Sequence, residues 1–229
     1  MKQIAFPTTH WSVVLAAKWD DTKARAALCE LCESYHEPIL RYVERVVRTD
    51  STSRYGGRNA EDLTHDFLAR LLEGKMFEQL HRREGRFRVY LLGAVRHFLA
   101  NVRQQESAAK RGGGIVHLSI RDDIPQSDDD AMFDHDWATA TIDRAVATLG
   151  DSTETQTLLP WLTLEMTPDD RVRLATELGK SEDAVKVALH RLRKKFRLCI
   201  REQIARTVES ESEIDAELDH LIQALKAGH

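Results

Sequence analysis

The stretch TPDDRVRLATELGKSED, Thr167 to Asp183, constrains the fold more than any other part of the chain, because helix stop and start signals follow one another within a few residues. Thr167 can cap a helix that has Pro168 at its first position and Asp169 and Asp170 near the positive end of its dipole. That helix should run through Leu178. Gly179 suits a left-handed C-terminal turn, and Ser181 can then cap a second helix with Glu182 and Asp183 in its first turn. Helix, a turn of three or four residues with glycine, then helix is the motif that reads DNA.

The second helix continues as AVKVALHRLRKKFR. Val185, Leu189, Leu192, Phe196 and Cys199 fall on one stripe, and Lys186, Val187, His190, Lys194, Arg197 and Arg201 fall opposite. The chain as a whole has a formal net charge of -4, yet Lys186, Arg191, Arg193, Lys194, Lys195 and Arg197 crowd into this segment. A charged helix face is usually a solvated face. A cluster of cations on a capped, glycine-turned helix pair favours a DNA partner instead. In this motif the N-terminal residues of the second helix approach base edges and later cations meet phosphate. Lys186, Val187 and His190 are therefore candidate readers, Lys194 and Arg197 candidate clamps, and Arg191 joins the set by position.

Charge also divides the rest of the chain. From Glu78 to Arg111 there are 8 cations against 3 acids; from Arg121 to Asp136 there are 7 acids against 1 cation, so the second stretch reads as a linker, with RGGG ahead of it. Periodicity on both sides is helical, and no alternating run is convincing as a strand. The expected fold is all-α, two small helical domains joined by a flexible acidic linker, with domains at 1–111 and 134–229 and the linker at 112–133. Helices are expected at about 22–47, 60–73, 87–107, 134–149, 168–178, 181–206 and 212–225. An apolar fraction of 42% with 31% charged residues fits a soluble globular protein better than a disordered or membrane one. The apolar run Trp11–Ala17 is too short to span a bilayer and lacks the flanks of a secretion signal, so a cytoplasmic protein is expected.

Cys29, Cys32 and His36 share a helical face and could offer three zinc ligands. The surrounding CELCESYHEPILRYV is amphipathic, with Leu28, Leu31, Tyr35, Ile39 and Val43 at helical spacing, so Cys32 reads as a small core residue. No metal and no cofactor are expected. No phosphate loop, paired metal carboxylates or Ser-His-Asp arrangement argues for an enzyme.

The N-terminal half asks for a second activity. In RNAEDLTHDFLARLLE, Asn59 can cap a helix with Ala60, Leu63, Thr64, Phe67 and Leu71 on one stripe and Asp62, His65, Asp66 and Arg70 exposed opposite. The following HRREGRFRVYLLGAVRHFLANVRQQ mixes Arg82, Arg83, Arg86, Arg88, Arg96 and Arg103 with Phe87, Tyr90, His97 and Phe98. Cations that attract a backbone beside aromatic faces that stack on bases suit a single strand. Phe98 and Leu91 also read as plain core.

At these residues the chain resembles a bacterial RNA polymerase sigma factor of the extracytoplasmic-function (ECF) group. NAEDLTHDFLARLL is similar to the family's polymerase-docking helix, GRFRVYLLGAVRHFLANVRQQ to its minus-ten melting helix and AVKVALHRLRKKFR to its minus-35 reading helix. FPTTHWSVVLAA at the start and IREQIARTVESESEIDAELDHLIQAL at the end resemble a subgroup that carries both extensions. The resemblance implies that Asn59, Glu61, Asp62, His65, Asp66 and Arg70 face core RNA polymerase, and that the basic loop and helix from Arg82 to Arg103 hold the non-template promoter strand. It implies no cofactor and no membrane, with an anti-sigma factor or a Ser/Thr kinase as possible further partners. Three places depart from the family pattern: Asn59 for an acid, His97 and Asn101 for Asn and Asp, and Val187-Ala188 for Ser-Arg. The last leaves minus-35 readout to Lys186, His190 and a methyl contact from Val187 to thymine. A helix-turn-helix regulator that binds duplex DNA without polymerase is the alternative. Thr64, a tempting phosphorylation site, lies at the centre of the apolar stripe, where phosphate charge would be buried.

The tail from Glu209 to Asp219 holds Glu209, Glu211, Glu213, Asp215, Glu217 and Asp219 with no cation. Two outcomes are open for it. Its acids, with Asp128, Asp129 and Asp130, cover the basic faces, or its apolar positions Ile214, Leu218, Leu221, Ile222 and Leu225 simply pack on the C-terminal domain.

Overall fold

The computed structural model describes residues 10–16, 22–73, 86–110 and 128–227, and among them every regular element is helical. The helices are α1 (His10–Ala16), α2 (Thr22–Asp50), α3 (Ala60–Leu72), α4 (Phe87–Lys110), α5 (Asp128–Ala147), α6 (Thr153–Leu158), α7 (Pro168–Leu178), α8 (Glu182–Ala205) and α9 (Ile214–Ala227), with short 3-10 turns at Thr52–Tyr55, Leu159–Leu162 and Glu211–Glu213. All seven expected helices are present. The two unexpected ones, α1 and α6, have 7 and 6 residues, too few to display a 3.6-residue period. No helix among the described residues is long and apolar enough to cross a membrane.

Two compact units result: Met1–Ala140 with Ile204–His229, and Thr141–Gln203. The cut differs from the expected domains. Residues 128–140 and the C-terminal tail group with the first unit, and the reason is burial. Phe133 and Trp137 of α5 are fully buried, Phe133 meeting Tyr42 edge-on with ring centroids 6.0 Å apart. Ile214, Leu221 and Ala224 of α9 are buried too, so the tail does pack by its apolar face, but in the first unit. Backbone bonds tie in the segment ahead of α9: Trp11 donates to the Arg206 carbonyl and Phe87 to the Thr207 carbonyl, each at 3.1 Å. The expected linker is shortened as well. Residues 111–127, with the RGGG spacer, lie outside the described residues, whereas 128–133 form the first turns of α5.

The first unit's core joins the predicted stripes of α2 (Leu28, Leu31, Tyr35, Ile39 and Val43) and α3 (Leu63, Phe67 and Leu71) to Leu91, Val95 and Phe98 of α4, of which Leu91 and Phe98 were read as core. Cys32 belongs to this core. Burial, reinforced by Cys29 and Glu33, pushes its thiol up to about 12, so it stays protonated and is no ready metal ligand. Cys29 is exposed, and the described residues contain no cluster of three or more potential metal ligands. In the second unit Ala145, Leu149, Leu158, Leu174, Val185, Leu192 and Cys199 form a separate core, with Trp161, Leu162 and Phe196 packed against it.

Candidate nucleic-acid interface

In the second unit the punctuation of the sequence becomes geometry. The Thr167 hydroxyl accepts a hydrogen bond from the Asp170 amide at 3.2 Å, and the Asp170 carboxylate accepts one from the Thr167 amide at 3.1 Å, which closes a capping box behind Pro168. Hydrogen bonds from Thr167 and Arg173 hold the Asp170 carboxyl below its ordinary value. Gly179 has φ +62, the left-handed conformation that ends α7 without side-chain strain, and Lys180 donates to the Ala175 carbonyl at 2.9 Å. The Ser181 hydroxyl accepts from the Ala184 amide at 3.2 Å and starts α8.

Val185, Leu189, Leu192 and Cys199 bury the inner stripe of α8. Lys186, Val187, His190, Arg191, Lys194 and Arg197 are all exposed, on a face about 16 Å long at 1.5 Å per residue. Lys186 pairs only within its own helix, with Asp183 at 3.1 Å. Two other cations of the same run serve the fold. The Arg193 guanidinium donates to the Trp161 carbonyl at 2.8 and 3.2 Å and to the Leu164 carbonyl at 2.9 Å, and Lys195 donates to the Leu149 carbonyl at 2.8 Å. Cations that look alike in sequence thus separate into an outer face and a bracing set. That outer face is cationic and projects from the second helix of a capped pair.

In the first unit Asn59 caps α3 by accepting from the Asp62 amide at 2.7 Å. Asn59, Glu61, Asp62, His65 and Arg70 are exposed. Asp66 is half-buried and accepts from Arg58 at 3.2 Å and from Arg70 at 3.0 and 3.2 Å, while the Arg70 guanidinium lies 5.2 Å from the Phe98 ring centroid. The His65 ring lies 5.9 Å from that of His36.

Along α4 the expectation of an open cationic and aromatic face needs correction. Phe87 is fully buried against Trp11 and Tyr35, with centroids 5.0 and 5.1 Å apart, so its ring is core and is not presented to a base. Arg88 is 5% exposed; it donates through Nε to Glu217 at 3.1 Å and pairs through Nη1 with Asp134. Burial opposes its charge, but those carboxylates prevail and raise the guanidinium above its ordinary value. Tyr90 stacks on Trp11 at 5.6 Å with its hydroxyl buried. Arg86 pairs with Glu217 at 2.8 Å, Arg96 with Asp130 at 3.1 Å, Arg103 with Asp50, and His97 shares a hydrogen bond with Asn101 at 3.2 Å. Arg82 and Arg83 lie outside the described residues. Glu217 and Asp130 are among the acids that the sequence offered as covers for the basic faces, and both meet cations of this segment; Asp134 was not singled out, since in sequence it is only one acid of the linker stretch.

A protein whose described elements are all helical, and whose second unit presents a cationic face on the second helix of a capped helix-turn-helix, has the features of a DNA-binding protein. Residues 15–202 match the family model described as ECF sigma factor, and the chain belongs to that family. It is a sigma factor, which binds core RNA polymerase and directs promoter recognition and transcription initiation. Neither curated proteins nor solved structures hold a match to it.

Proposed function

We propose that this sigma factor works through three surfaces. The exposed side of α3, with Asn59, Glu61, Asp62, His65, Asp66 and Arg70, docks on core polymerase. The loop and helix from Arg82 to Arg103 hold the non-template strand at the minus-ten element. The outer face of α8 reads the minus-35 element: Lys186, Val187 and His190 approach bases, while Arg191, Lys194 and Arg197 contact phosphate. The observation that carries this reading is the exposure of those six side chains together on α8, beside Arg193 and Lys195, which hydrogen-bond to backbone carbonyls of their own unit.

The protein acts in the cytoplasm, in a subgroup with an FPTT-type N-terminal segment and an acidic C-terminal extension. Its control comes from an anti-sigma factor, a Ser/Thr kinase or the extension itself. Thr64 is fully buried, so a kinase would act at another hydroxyl.

Run-off transcription with core polymerase and a promoter library tests the whole reading. The full chain should select a defined promoter set. Reversing charge at Asp62 and Asp66 together should abolish transcription and co-elution with core polymerase while helix content is kept. A double variant that co-elutes at native affinity would show that α3 is not the docking surface.

A further inference from the structure

The strongest feature that the sigma-factor reading leaves unused is the set of carboxylates seated on α4. Glu217 of α9 is fully buried, and its two oxygens are divided between two arginines, Oε1 to Arg88 at 3.1 Å and Oε2 to Arg86 at 2.8 Å. Asp134 of α5 takes the remaining edge of Arg88 and accepts from His220 of α9 at 2.9 Å, if that ring nitrogen carries the proton. One turn earlier on α5, Asp130 takes Arg96 at 3.1 Å, both side chains nearly buried. These acids come from two segments far from α4 in the chain, and they converge on three of the cations assigned above to the promoter strand.

A guanidinium holds one planar anion per donor edge. With Glu217 and Asp134 in place Arg88 has no edge turned to solvent, and its outer face is covered by the Trp137 ring, 4.9 Å from the guanidinium carbon. A backbone phosphate cannot reach it. The carboxylate cluster and a DNA strand are thus competing anions for the same cations.

We propose that α9 and the first half of α5 form an internal anionic clasp that occupies Arg86, Arg88 and Arg96 in the free protein, and that the promoter strand gains these cations when the clasp leaves. The inference rests on the reading of this segment as the strand-binding one. The fold makes release feasible. Of the 14 residues of α9 Ile214, Leu221 and Ala224 bury apolar side chains, and the fourth buried residue is Glu217 itself, so release exposes a limited apolar surface. A buried ion pair adds little net stability over its desolvation cost, so replacing one anion by another on Arg88 is not strongly opposed. Apolar contacts of α9 hold the clasp shut; a polymerase or strand that takes the cations shifts it open by mass action.

Hydrogen exchange of the full chain decides the matter. Amides of residues 214–227 should be protected in the free protein and exchange at least about tenfold faster in the complex with core polymerase and promoter DNA, as local opening requires. Equal protection in both states overturns the proposal. A second measurement uses Glu217→Gln, which keeps the side-chain shape and lifts the charge from both arginines. Its affinity for a short single-stranded DNA oligonucleotide of mixed sequence should rise about tenfold at low salt, the gain expected of roughly two added phosphate contacts. An unchanged affinity in a folded variant counts against the clasp, and if the variant does not fold, exchange of the native chain decides alone. Arg83→Gln and Arg96→Gln separate the two readings. If both, assembled with core polymerase, bind a pre-melted promoter bubble as the native chain does, the strand-binding assignment has failed and the clasp proposal falls with it. If both bind weakly while 214–227 stays protected in the complex, the assignment stands and the clasp alone is overturned.

Discussion

Helices α4 and α8 are both 24 residues long, both amphipathic and both rich in arginine, yet the structure treats their cations in opposite ways. On α8 Lys186, His190, Lys194 and Arg197, opposite the apolar stripe, face solvent, and Lys186 has a carboxylate partner three residues away in its own helix. Arg86, just ahead of α4, and Arg88, Arg96 and Arg103 on it all carry carboxylates from other elements, and Phe87 lies in the core. Composition alone cannot separate these cases. What separates them is whether an acid elsewhere in the chain is brought to the helix by apolar packing.

The largest expected effect tests that contrast directly. Arg88→Ala leaves the buried Glu217 carboxylate without one of its two arginine partners and should destabilise the first unit by about 3–5 kcal/mol, whereas Arg191→Ala on the exposed face of α8 should change stability by less than about 0.5 kcal/mol. Urea unfolding followed by circular dichroism measures both, and similar losses from the two variants would erase the distinction drawn here.

Next in size are effects on DNA. Lys186→Ala and His190→Ala should change promoter preference by about 1–3 kcal/mol at single base pairs, read from start-site choice in a promoter library. Lys194→Ala should instead weaken binding evenly across sequences and lower the salt slope by about one unit. Uniform loss from all three would remove base reading from α8. The cap of the motif gives a smaller effect: Thr167→Ala should cost the second unit about 1 kcal/mol.

The pH dependence of that cap is the finest test. The Asp170 carboxyl is held below its unfolded value by the hydrogen bonds of the capping box, so its contribution is full above the ordinary carboxylate pKa and disappears as pH falls through the lowered one. The stability of the native chain should therefore decline on acidification through that range more than that of Asp170→Asn, in which the titrating group is absent. Parallel pH profiles would show that Asp170 contributes nothing to α7.

Much of the molecule was legible because its signals are local. Thr167, Pro168, Gly179 and Ser181 mark helix ends through backbone chemistry that acts over three or four residues, and the stripes of α2, α3 and α8 follow from a 3.6-residue period. The outer face of α8 was legible for the same reason: once Val185, Leu189 and Leu192 turn inward, Lys186, His190 and Lys194 must turn outward. Tertiary structure alone decided which cations stay available. Arg193 and Lys195 differ from Arg191 and Lys194 only in the carbonyls of Trp161, Leu164 and Leu149 that the second core brings near them. Arg88 meets Glu217 across 129 positions of sequence because Trp137, Leu221 and their neighbours bury apolar surface in the same unit. Local rules describe the backbone within a turn or two, whereas the pairing of distant charges depends on where apolar packing carries their helices.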